Sequence, residues 1–413
     1  MNINSDNPTK AILIGVDTGE YDCTQSLKEL EELAMTAGAE VIAAAEQKRP
    51  SYDSSTCIGR GRLEEIAETV KNMGIELAVF DLELTANQTK NIENILDIRV
   101  IDRTTLILDI FAQRALTKEG RIQVELAQNK YRLAHLAGRG IELSRLGGGI
   151  GTRGPGESKL ETDKRHIHRR IHTLEEELSK LEKRRELRRH RRKKDNILSC
   201  AIVGYTNVGK STLLNALTDA GVLAENKLFA TLDITSRMII LPDGRNVMLT
   251  DTVGLIRRLP HNLVEAFKST LEEAAQADII LNLIDISSDD GMNQAEVTEK
   301  LLHELGCDGI PRINVLNKAD LISPEEVIPE DKHTVLISAK NHTGFERLLQ
   351  CISENLPETA KRGKFLVPYD KAALLNKIRE EGKVFSEEYT PDGILTDALV
   401  DLKIYHMVSD YKQ

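Results

Sequence analysis

The sequence has few cysteines, and no stretch of it could form a transmembrane helix. Its five cysteines are odd in number and scattered, without the C-x-x-C spacing of metal or redox sites. We therefore expect buried or incidental thiols of a reducing compartment rather than disulfides or zinc ligands. No apolar run is long enough to cross a bilayer, and the polar start Met-Asn-Ile-Asn-Ser-Asp does not resemble a signal peptide. A cytoplasmic protein is expected.

The chain also has fewer basic residues than acidic ones. The net charge of −10 argues against nucleic-acid binding by the whole surface, although it leaves a local basic site open. A hydrophobic content of 40% and a charged content of 29% are typical of globular proteins. At 413 residues the chain is too long for one typical core, so two or three domains are expected.

Residues 1–103 alternate short apolar runs with amphipathic stretches, which predicts βα units and a parallel sheet covered by helices. The predicted strands are 11–16, 40–45, 76–80 and 99–101, and the predicted helices are 26–37, 62–73 and 85–96. The turn Gly59-Arg60-Gly61-Arg62 opens one of these helices. We favour an ordinary turn with two solvated arginines, and a site for a second nucleotide or an RNA phosphate is the alternative.

Residues 104–195 predict two long helices joined by a glycine-rich tip. The first is expected from Thr104 to about residue 138 and the second from Lys159 to Lys194. Between them, the loop Gly147–Gly156 holds too many glycines for a helix or a packed strand. We expect an antiparallel helical hairpin whose tip, flanked by arginines, settles on phosphate or RNA bases; a disordered linker is the alternative. The arginines are Arg139, Arg145 and Arg153.

The second of these helices ends in the basic run Lys183–Lys194. In an acidic protein, this concentration of cations indicates a surface for a polyanion. A solvated helix end whose cations suit the helix dipole is the alternative, but it accounts for only a few of them. Few aromatic residues lie nearby, so contact with RNA phosphates is expected, and the missing apolar face disfavours a membrane. His168 and His172 are spaced like a metal pair, but without an evident third ligand surface histidines are favoured.

The stretch from Gly204 to Ser211 fits G-x-x-x-x-G-K-[ST], a phosphate-binding loop between a predicted buried strand and a helix start. The glycines let backbone amides converge on phosphate oxygens, and the helix presents its positive end to the same anion. Lys210 is expected to reach the β- and γ-phosphates, and the Ser211 hydroxyl to bind Mg²⁺. The nucleotide-binding residues expected here are Gly204, Tyr205, Thr206, Asn207, Val208, Gly209, Lys210, Ser211 and Thr212.

Two further segments are expected to complete the triphosphate site. The segment Phe229-Ala230-Thr231 offers Thr231 as a second hydroxyl for Mg²⁺. A predicted strand then ends in Asp251-Thr-Val-Gly254, a D-x-x-G pattern. There Asp251 can hold Mg²⁺ through water, and the Gly254 amide can meet the γ-phosphate. The expected catalytic residues are Lys210, Thr231 and Gly254.

Selection of the base is expected at two later strand ends. Asn317-Lys318-Ala-Asp320 follows a predicted buried strand, and Asp320 can accept hydrogen bonds from guanine N1–H and the 2-amino group, which adenine does not offer. We expect Asp320 to be a buried and otherwise unpaired carboxylate, because the wrong base is then costly. Ser338-Ala339-Lys340 follows the next predicted strand, and its backbone amides could meet the base O6.

The order and spacing of these motifs resemble the Ras-like P-loop GTPases over residues 196–358. The resemblance implies a mostly parallel six-stranded sheet with helices on both faces. Many Ras-like enzymes have a glutamine after D-x-x-G, but Leu255 cannot orient water, so slow hydrolysis that depends on a partner is expected. Asn207 matches the asparagine with which some GTPases hold K⁺ beside the phosphates. A loop asparagine that stabilises its own turn is an equal alternative.

The chain further resembles the HflX family in the run from Leu143 to Asp163, in the phosphate-binding loop and in the run from Asp251 to Pro260. This resemblance implies a GTPase, stimulated by ribosomal subunits, that binds the large ribosomal subunit and its RNA through the Gly147–Gly156 loop and the basic run. It also implies action in translation stress or ribosome recycling by splitting ribosomes. Some members bind ATP through their amino-terminal region, which keeps the Gly59 turn open. Leu146 stands where the family commonly has a glutamine.

The last part of the chain, residues 359–413, predicts a small α+β appendage without catalytic features. Its strands are expected at 365–368, 384–389 and 394–402, and its helix at 371–381. The whole is expected to be a monomeric α/β protein that uses GTP, GDP and Mg²⁺. A nucleotide-gated RNA- or ribosome-binding module with little intrinsic hydrolysis is the alternative function, which Leu255 keeps open. An RNA-modification GTPase would need an added catalytic cysteine or cofactor site, and none is evident.

Overall fold

The computed structural model describes residues 8–145, 155–194, 197–218, 228–229, 233–258, 260, 263, 273–322 and 331–412. The chain forms two compact units. The first unit consists of Met1–Arg185, Glu225–Asp233 and Val253–Thr270, and the second of Glu186–Ala224, Ile234–Thr252 and Leu271–Gln413. Within the described ranges, no helix is both long enough and apolar enough to cross a membrane.

A four-stranded parallel sheet in the order β2-β1-β3-β4 forms the body of the first unit. Its strands are β1 (Thr9–Asp17), β2 (Ala39–Lys48), β3 (Leu77–Phe80) and β4 (Arg99–Asp102). Its helices are α1 (Cys23–Thr36), α2 (Arg60–Met73) and α3 (Ala86–Leu96). Six consecutive residues of the interior strand β1 are buried, as a strand covered on both faces requires. The predicted parallel α/β unit is confirmed.

Local capping sets the ends of these helices. At the start of α1, the Asp22 side chain accepts a hydrogen bond from the Gln25 amide at 2.9 Å. Thr85 and Gln88 form a capping box at the start of α3. Helix α2 ends at Gly74, whose φ of 62° lies in the left-handed region that glycine adopts without strain. The helices close over a core that includes Ile12, Ile14, Leu63, Phe80 and Ile92.

The sequence predicted one continuous helix from Thr104, but the structure has two helices there. Helix α4 (Arg103–Arg114) ends, and helix α5 (Lys118–Arg145) begins after a short break. Thr117 caps α5, because its Oγ1 accepts from the Gly120 amide at 3.0 Å. The amides of Leu116 and Thr117 donate to Asp233 Oδ2 at 2.8 and 2.9 Å. The break is thus stabilised by a residue 116 positions away from Thr117.

Helix α5 and the 40-residue helix α6 (Pro155–Lys194) form the predicted antiparallel hairpin. Ile122 and Leu126 of α5 pack against Ile171 and Leu174 of α6. Arg170 donates two hydrogen bonds across the pair to Glu125, at 2.6 and 2.7 Å. The predicted tip loop lies mainly at residues 146–154, outside the described residues.

The second unit is built on a six-stranded sheet in the order β10-β9-β8-β5-β7-β6, parallel except for β6. Its strands are β5 (Leu198–Gly204), β6 (Thr235–Ile240), β7 (Asn246–Asp251), β8 (Ile279–Asp285), β9 (Arg312–Asn317) and β10 (Thr334–Leu336). Its helices are α7 (Lys210–Thr218), α8 (Gly291–Glu304) and α9 (Phe345–Asn355). All seven residues of β8 are buried, as expected for a central parallel strand. The predicted Ras-like sheet is confirmed.

The carboxyl-terminal part of the second unit is a three-stranded antiparallel sheet. The strands of this sheet are β11 (Ala360–Val367), β12 (Lys383–Thr390) and β13 (Gly393–Asp401). The same part of the chain contains the helices α10 (Ala372–Glu381) and α11 (Leu402–Val408). Arg362 lies in β11 and donates two hydrogen bonds of 2.9 Å to Asp397 of β13. Helix α11 was not predicted; the Asp401 side chain caps it by accepting from the Ile404 amide at 2.7 Å.

Candidate functional site

Four parallel strands of the second unit end at one edge of its sheet and bring the predicted motifs together. In register, Ile202 of β5 lies opposite Asp251 at the end of β7, and Asp285 at the end of β8 lies opposite Asn317 at the end of β9. The phosphate-binding loop follows β5 at the same edge. Ligands of open α/β sheets bind at this carboxyl edge, so the topology alone selects this place for a site.

The loop after Gly204 requires unusual backbone conformations. The φ angles of Gly204, Asn207 and Gly209 are 149°, 63° and 98°, all in regions that most side chains avoid. A Cβ atom on Gly209 would also collide with Nδ2 of Asn317. Asparagine is one of the few residues with a side chain that tolerates left-handed φ values, so Asn207 has a conformational reason to stand here.

Lys210 begins helix α7 and is buried, with only 6% of its surface exposed. Its Nζ donates hydrogen bonds to the carbonyl oxygens of Gly204 and Tyr205 at 3.0 and 2.6 Å. Burial lowers the pKa of Lys210 to about 8, and the Asp251 carboxylate opposes part of this change. A buried cation held by two carbonyl groups is ready to exchange them for the oxygens of an anion.

Ser211 and Asp251 supply the oxygen atoms that the sequence assigned to a metal ion. The Ser211 hydroxyl, in the first turn of α7, donates to Asp251 Oδ2 at 2.7 Å. Asp251 is fully buried at the end of β7. A hydroxyl and a carboxylate beside a phosphate-binding loop form a hard oxygen donor set, which fits Mg²⁺. The third predicted ligand, Thr231, lies outside the described residues.

Asn317 joins two of the predicted loops. Its Nδ2 donates to the Val208 carbonyl of the phosphate-binding loop at 2.7 Å, and its Oδ1 accepts from the Ala339 amide at 3.0 Å. The residue is almost completely buried. Its side chain therefore fixes the distance between the loop for the phosphates and the loop at 338–340.

Asp320 differs from its prediction, because it is exposed and paired rather than buried and unpaired. Its Oδ1 accepts a hydrogen bond from the Ser338 hydroxyl at 2.6 Å. Beside it, Lys318 has a left-handed φ of 66°, and its Nζ forms an ion pair with Asp285 Oδ2 at 2.6 Å. Sequence reasoning missed Asp285, although a carboxylate at the end of a buried strand is the available signal.

The remaining predicted site residues are placed as follows. In the second unit, Tyr205, Thr206 and Val208 are buried, Thr212 is half-buried and Lys340 is exposed. Phe229 and Gly254 are buried in the first unit, as is Leu255, the residue that replaces the glutamine of many Ras-like enzymes. Ala230 lies outside the described residues, like Thr231.

The weaker signals of the sequence have ordinary local partners. Arg60 pairs with Glu64 at 3.2 Å and Arg62 with Glu65 at 2.6 Å, all on the exposed face of α2. These pairs favour the simple turn at Gly59. Among the described residues, no group of three or more histidine, cysteine or acidic side chains could hold a metal ion. This also applies to the surroundings of His168 and His172.

Part of the basic run at the end of α6 is exposed. Lys183, Arg184 and Arg188 are exposed. Arg185 pairs with Glu119 at 3.0 Å and Arg189 with Glu273 at 3.1 Å. Part of the run therefore fixes the helix to its surroundings, and another part keeps its charge in contact with solvent.

Three models of known protein families match consecutive parts of the chain. Residues 24–112 match a family model described as GTP-binding GTPase N-terminal, residues 114–192 the GTP-binding GTPase Middle Region, and residues 199–318 the 50S ribosome-binding GTPase. A solved structure that matches is a GTP-binding protein from the archaeon Sulfolobus solfataricus in complex with GDP. The identity is 25%, the match covers 84% of this chain and 98% of that chain, and the TM-score is 0.44.

Curated relatives extend over nearly the whole chain. The GTPase HflX of Caldanaerobacter subterraneus is 52% identical over 97% of this chain and 93% of its own length. The GTPase HflX of Lacrimispora saccharolytica is 48% identical over 97% of this chain and 96% of its own length. The GTPase HflX of Escherichia coli is 39% identical over 93% of this chain and 91% of its own length. The resemblance seen in the motifs is confirmed: this chain belongs to the HflX family of GTPases and is a GTP-hydrolysing enzyme.

Proposed function

We propose that the second unit binds GTP and GDP through the loop Gly204–Thr212 and that Asp320 selects guanine. The observation that supports this most strongly is the hydrogen-bonded edge of the sheet. There Ser211 contacts Asp251 at 2.7 Å, and Asn317 contacts the phosphate-binding loop at 2.7 Å. These contacts support a site for phosphates and a metal ion at Ser211 and Asp251, which Asn317 joins to the loop at 338–340 of the proposed base site.

The phosphates are bound by the loop amides and by Lys210. On binding, the Lys210 ammonium exchanges the carbonyls of Gly204 and Tyr205 for phosphate oxygens, which are charged and therefore stronger acceptors. The positive end of helix α7 faces the same anion. Ser211, Thr231 and Asp251, the last through water, are the residues that would hold Mg²⁺, and the ion would supply positive charge that neutralises the phosphates.

The base is bound at Asp320 and the loop at 338–340. Because Asp320 is exposed, a purine can approach it directly. One carboxylate oxygen accepts from Ser338, and a carboxylate has enough lone pairs left to accept from guanine N1–H and the 2-amino group. Ala339 already donates its amide to Asn317, so a contact with the base O6 requires that this amide be shared or shifted, or that the Lys340 amide make the contact.

Hydrolysis is proposed to be slow in the isolated protein. Lys210, Thr231 and Gly254 are the proposed catalytic residues, and they stabilise charge on the transferring phosphoryl group. Leu255 and Ile256 follow Gly254 as buried aliphatic residues, so no side chain at these two positions can orient a water molecule. Stimulation by a ribosomal subunit is therefore part of the proposal. A K⁺ ion held beside Asn207 would be a second source of positive charge, and a comparison of hydrolysis rates in K⁺ and Na⁺ buffers tests this.

The proposed partner is the large ribosomal subunit with its RNA. The family model for residues 199–318 is described as a ribosome-binding GTPase. The glycine-rich loop and the exposed cations Lys183, Arg184 and Arg188 are the proposed RNA contacts. The protein would act as a cytoplasmic monomer that splits ribosomes during translation stress or recycling.

A competition titration tests the nucleotide. Fluorescent GDP bound to the protein should be displaced by excess GTP and should resist excess ATP. Displacement by ATP with equal potency would contradict the assignment of Asp320.

Three further experiments test the partner. GTP turnover should increase when purified large subunits are added; no increase would favour the alternative, a nucleotide-gated binding module. Deleting residues 146–156 should abolish splitting and spare GDP binding, and binding to the subunit should weaken steeply with salt if cations hold phosphate. Splitting that survives the deletion would remove the loop from the proposal.

A further inference from the structure

Asp285 is a buried carboxylate at the end of β8, outside the sequence motifs of the nucleotide site. Only 9% of its surface is exposed. In register it lies opposite Asn317 of β9, and the next amide, that of Ile286, donates to the Asn317 carbonyl at 3.2 Å. Helix α8 closes on it from another side, because a Cβ atom on Gly291 would collide with the Asp285 carbonyl oxygen. The backbone of Asp285 is therefore fixed beside the segment that carries Asp320.

Both oxygens of the Asp285 carboxylate have partners. Oδ1 accepts hydrogen bonds from the amide and the hydroxyl of Ser287, at 3.0 and 2.6 Å. Oδ2 forms the ion pair with Lys318 Nζ at 2.6 Å. The contacts with Ser287 set the orientation of the carboxylate, so that Oδ2 is held against Lys318. Because the pair is mostly buried, removing one partner leaves the charge of the other poorly compensated.

The backbone of Lys318 is strained. Its φ of 66° and ψ of 33° lie in the left-handed region, which is unusual for a residue with a long side chain. A short 3₁₀ helix, Ala319–Leu321, starts directly after it and includes Asp320. A strained conformation persists only where surrounding contacts impose it. Here the Leu321 amide donates to the Lys318 carbonyl at 3.0 Å, and Asp285 holds the end of the Lys318 side chain.

We propose that Asp285 is a positioning residue of the guanine site. By holding the Lys318 side chain, it keeps the left-handed turn in which the Asp320 carboxylate accepts from the Ser338 hydroxyl at 2.6 Å. This inference rests on the proposed selection of guanine by Asp320. A turn that is fixed before the base arrives loses less conformational freedom on binding. Asp285 therefore raises the part of the affinity that depends on the base, and it leaves the part that depends on the phosphates unchanged.

Asp285→Asn is the first test, because it retains the shape of the side chain and removes its charge. An asparagine side chain has one acceptor and one donor group, so in either orientation its NH₂ faces another donor, at Lys318 or at Ser287. The probes are GDP and inosine diphosphate, which lacks the 2-amino group proposed to contact Asp320. The variant should lower the ratio of the GDP affinity to the inosine diphosphate affinity about fivefold, as measured by displacement of fluorescent GDP.

Asp278→Asn is the matched control at the other end of the same strand. Asp278 directly precedes β8, and its Oδ2 accepts from the amide and the hydroxyl of Ser199 at 2.7 and 2.8 Å, in the same way as Asp285 Oδ1 accepts from Ser287. The seven residues of β8 separate it from the carboxyl edge of the sheet. The control should lower the free energy of unfolding and leave the ratio of the two affinities unchanged. A ratio that fell equally in both variants would overturn the inference, because general destabilisation would then explain it.

Lys318→Gly is the second test, and it asks whether Asp285 acts through Lys318. Glycine adopts a left-handed φ without strain, so the turn then forms without a carboxylate that holds it. In the Lys318→Gly background, Asp285→Asn should therefore change the ratio of the two affinities by less than about twofold. A fall of about fivefold in this background as well would overturn the inference, since Asp285 would then act on the base without Lys318.

The wild-type protein tests the proposed function separately, because it should prefer GDP to inosine diphosphate. A wild type that bound both nucleotides equally would contradict the role of Asp320, and this inference would fall together with it. A wild type that prefers GDP, together with an Asp285→Asn variant whose ratio is unchanged, would overturn the inference alone.

Discussion

Nucleotide binding is predicted to take up a proton on Lys210 at mildly alkaline pH. Burial lowers the pKa of Lys210 from 10.5 to about 8 in the structure described here. A bound phosphate places negative charge beside Nζ and favours the cation, so the pKa of Lys210 rises again on binding. In the nucleotide-free protein, Lys210 is protonated in about nine-tenths of the molecules at about pH 7 but in only about a quarter at about pH 8.5.

The affinity for GDP should therefore fall about fourfold between these two pH values. Isothermal titration calorimetry in buffers of different ionisation enthalpy measures the accompanying proton uptake. About 0.1 proton per GDP is expected at the lower pH and about 0.75 at the higher pH. Lys210→Arg is the matched control, because its guanidinium stays charged throughout and the variant reports every other titrating group, including the base. Equal uptake by wild type and variant at the higher pH would refute the reasoning, since Lys210 would then be fully protonated before GDP binds.

Three further substitutions test the site. Without nucleotide, Lys210→Met should raise the free energy of unfolding at about pH 7 by up to about 3 kcal/mol, because it removes a buried cation. Between about pH 8 and 10.5 the folded protein holds fewer protons on Lys210 than the unfolded chain does, so the stability gained by Lys210→Met should shrink as pH rises. Urea unfolding measures this difference in stability, and a difference that grew with pH would contradict the lowered pKa of Lys210. Gly209→Ala should abolish GDP binding, because its φ is 98° and the new Cβ collides with Asn317; a normal titration would count against the loop geometry. Asn317→Ala should lower the free energy of unfolding by about 1–3 kcal/mol and weaken GDP binding, because two buried backbone groups lose their partner; an unaffected melting curve would show that another group replaces it.

The fold and the order of the site could be predicted because they depend on local rules. The buried strands that end at Gly204, Asp251 and Asn317 are recognisable from continuous apolar runs. Gly209 is recognisable from the G-x-x-x-x-G-K-[ST] spacing, and its conformation and close approach to Asn317 explain why no Cβ atom fits there. These signals lie within short windows of the chain, so one sequence is enough to reveal them.

The features that were missed depend on residues far apart in the chain. The break at Leu116 and Thr117 is stabilised by Asp233, and the strand around Arg362 by Asp397, 35 residues away. Asp320 was expected to be buried because guanine selection favours a desolvated carboxylate, but it is exposed at the rim of its loop. No local pattern carries such information, because it arises from packing between elements.

The most direct test of the central claim is the base preference of Asp320→Asn. An asparagine presents an amide donor where guanine needs a second acceptor, whereas xanthine offers an oxygen at the position of the 2-amino group. GTP and XTP are each used to displace a fluorescent nucleotide, which is GDP for the wild type and XDP for the variant. The wild type should prefer GTP and the variant should prefer XTP, while Lys210 still binds the phosphates in both. A variant that selects guanine as strongly as the wild type would contradict the account, because the base would then be read elsewhere.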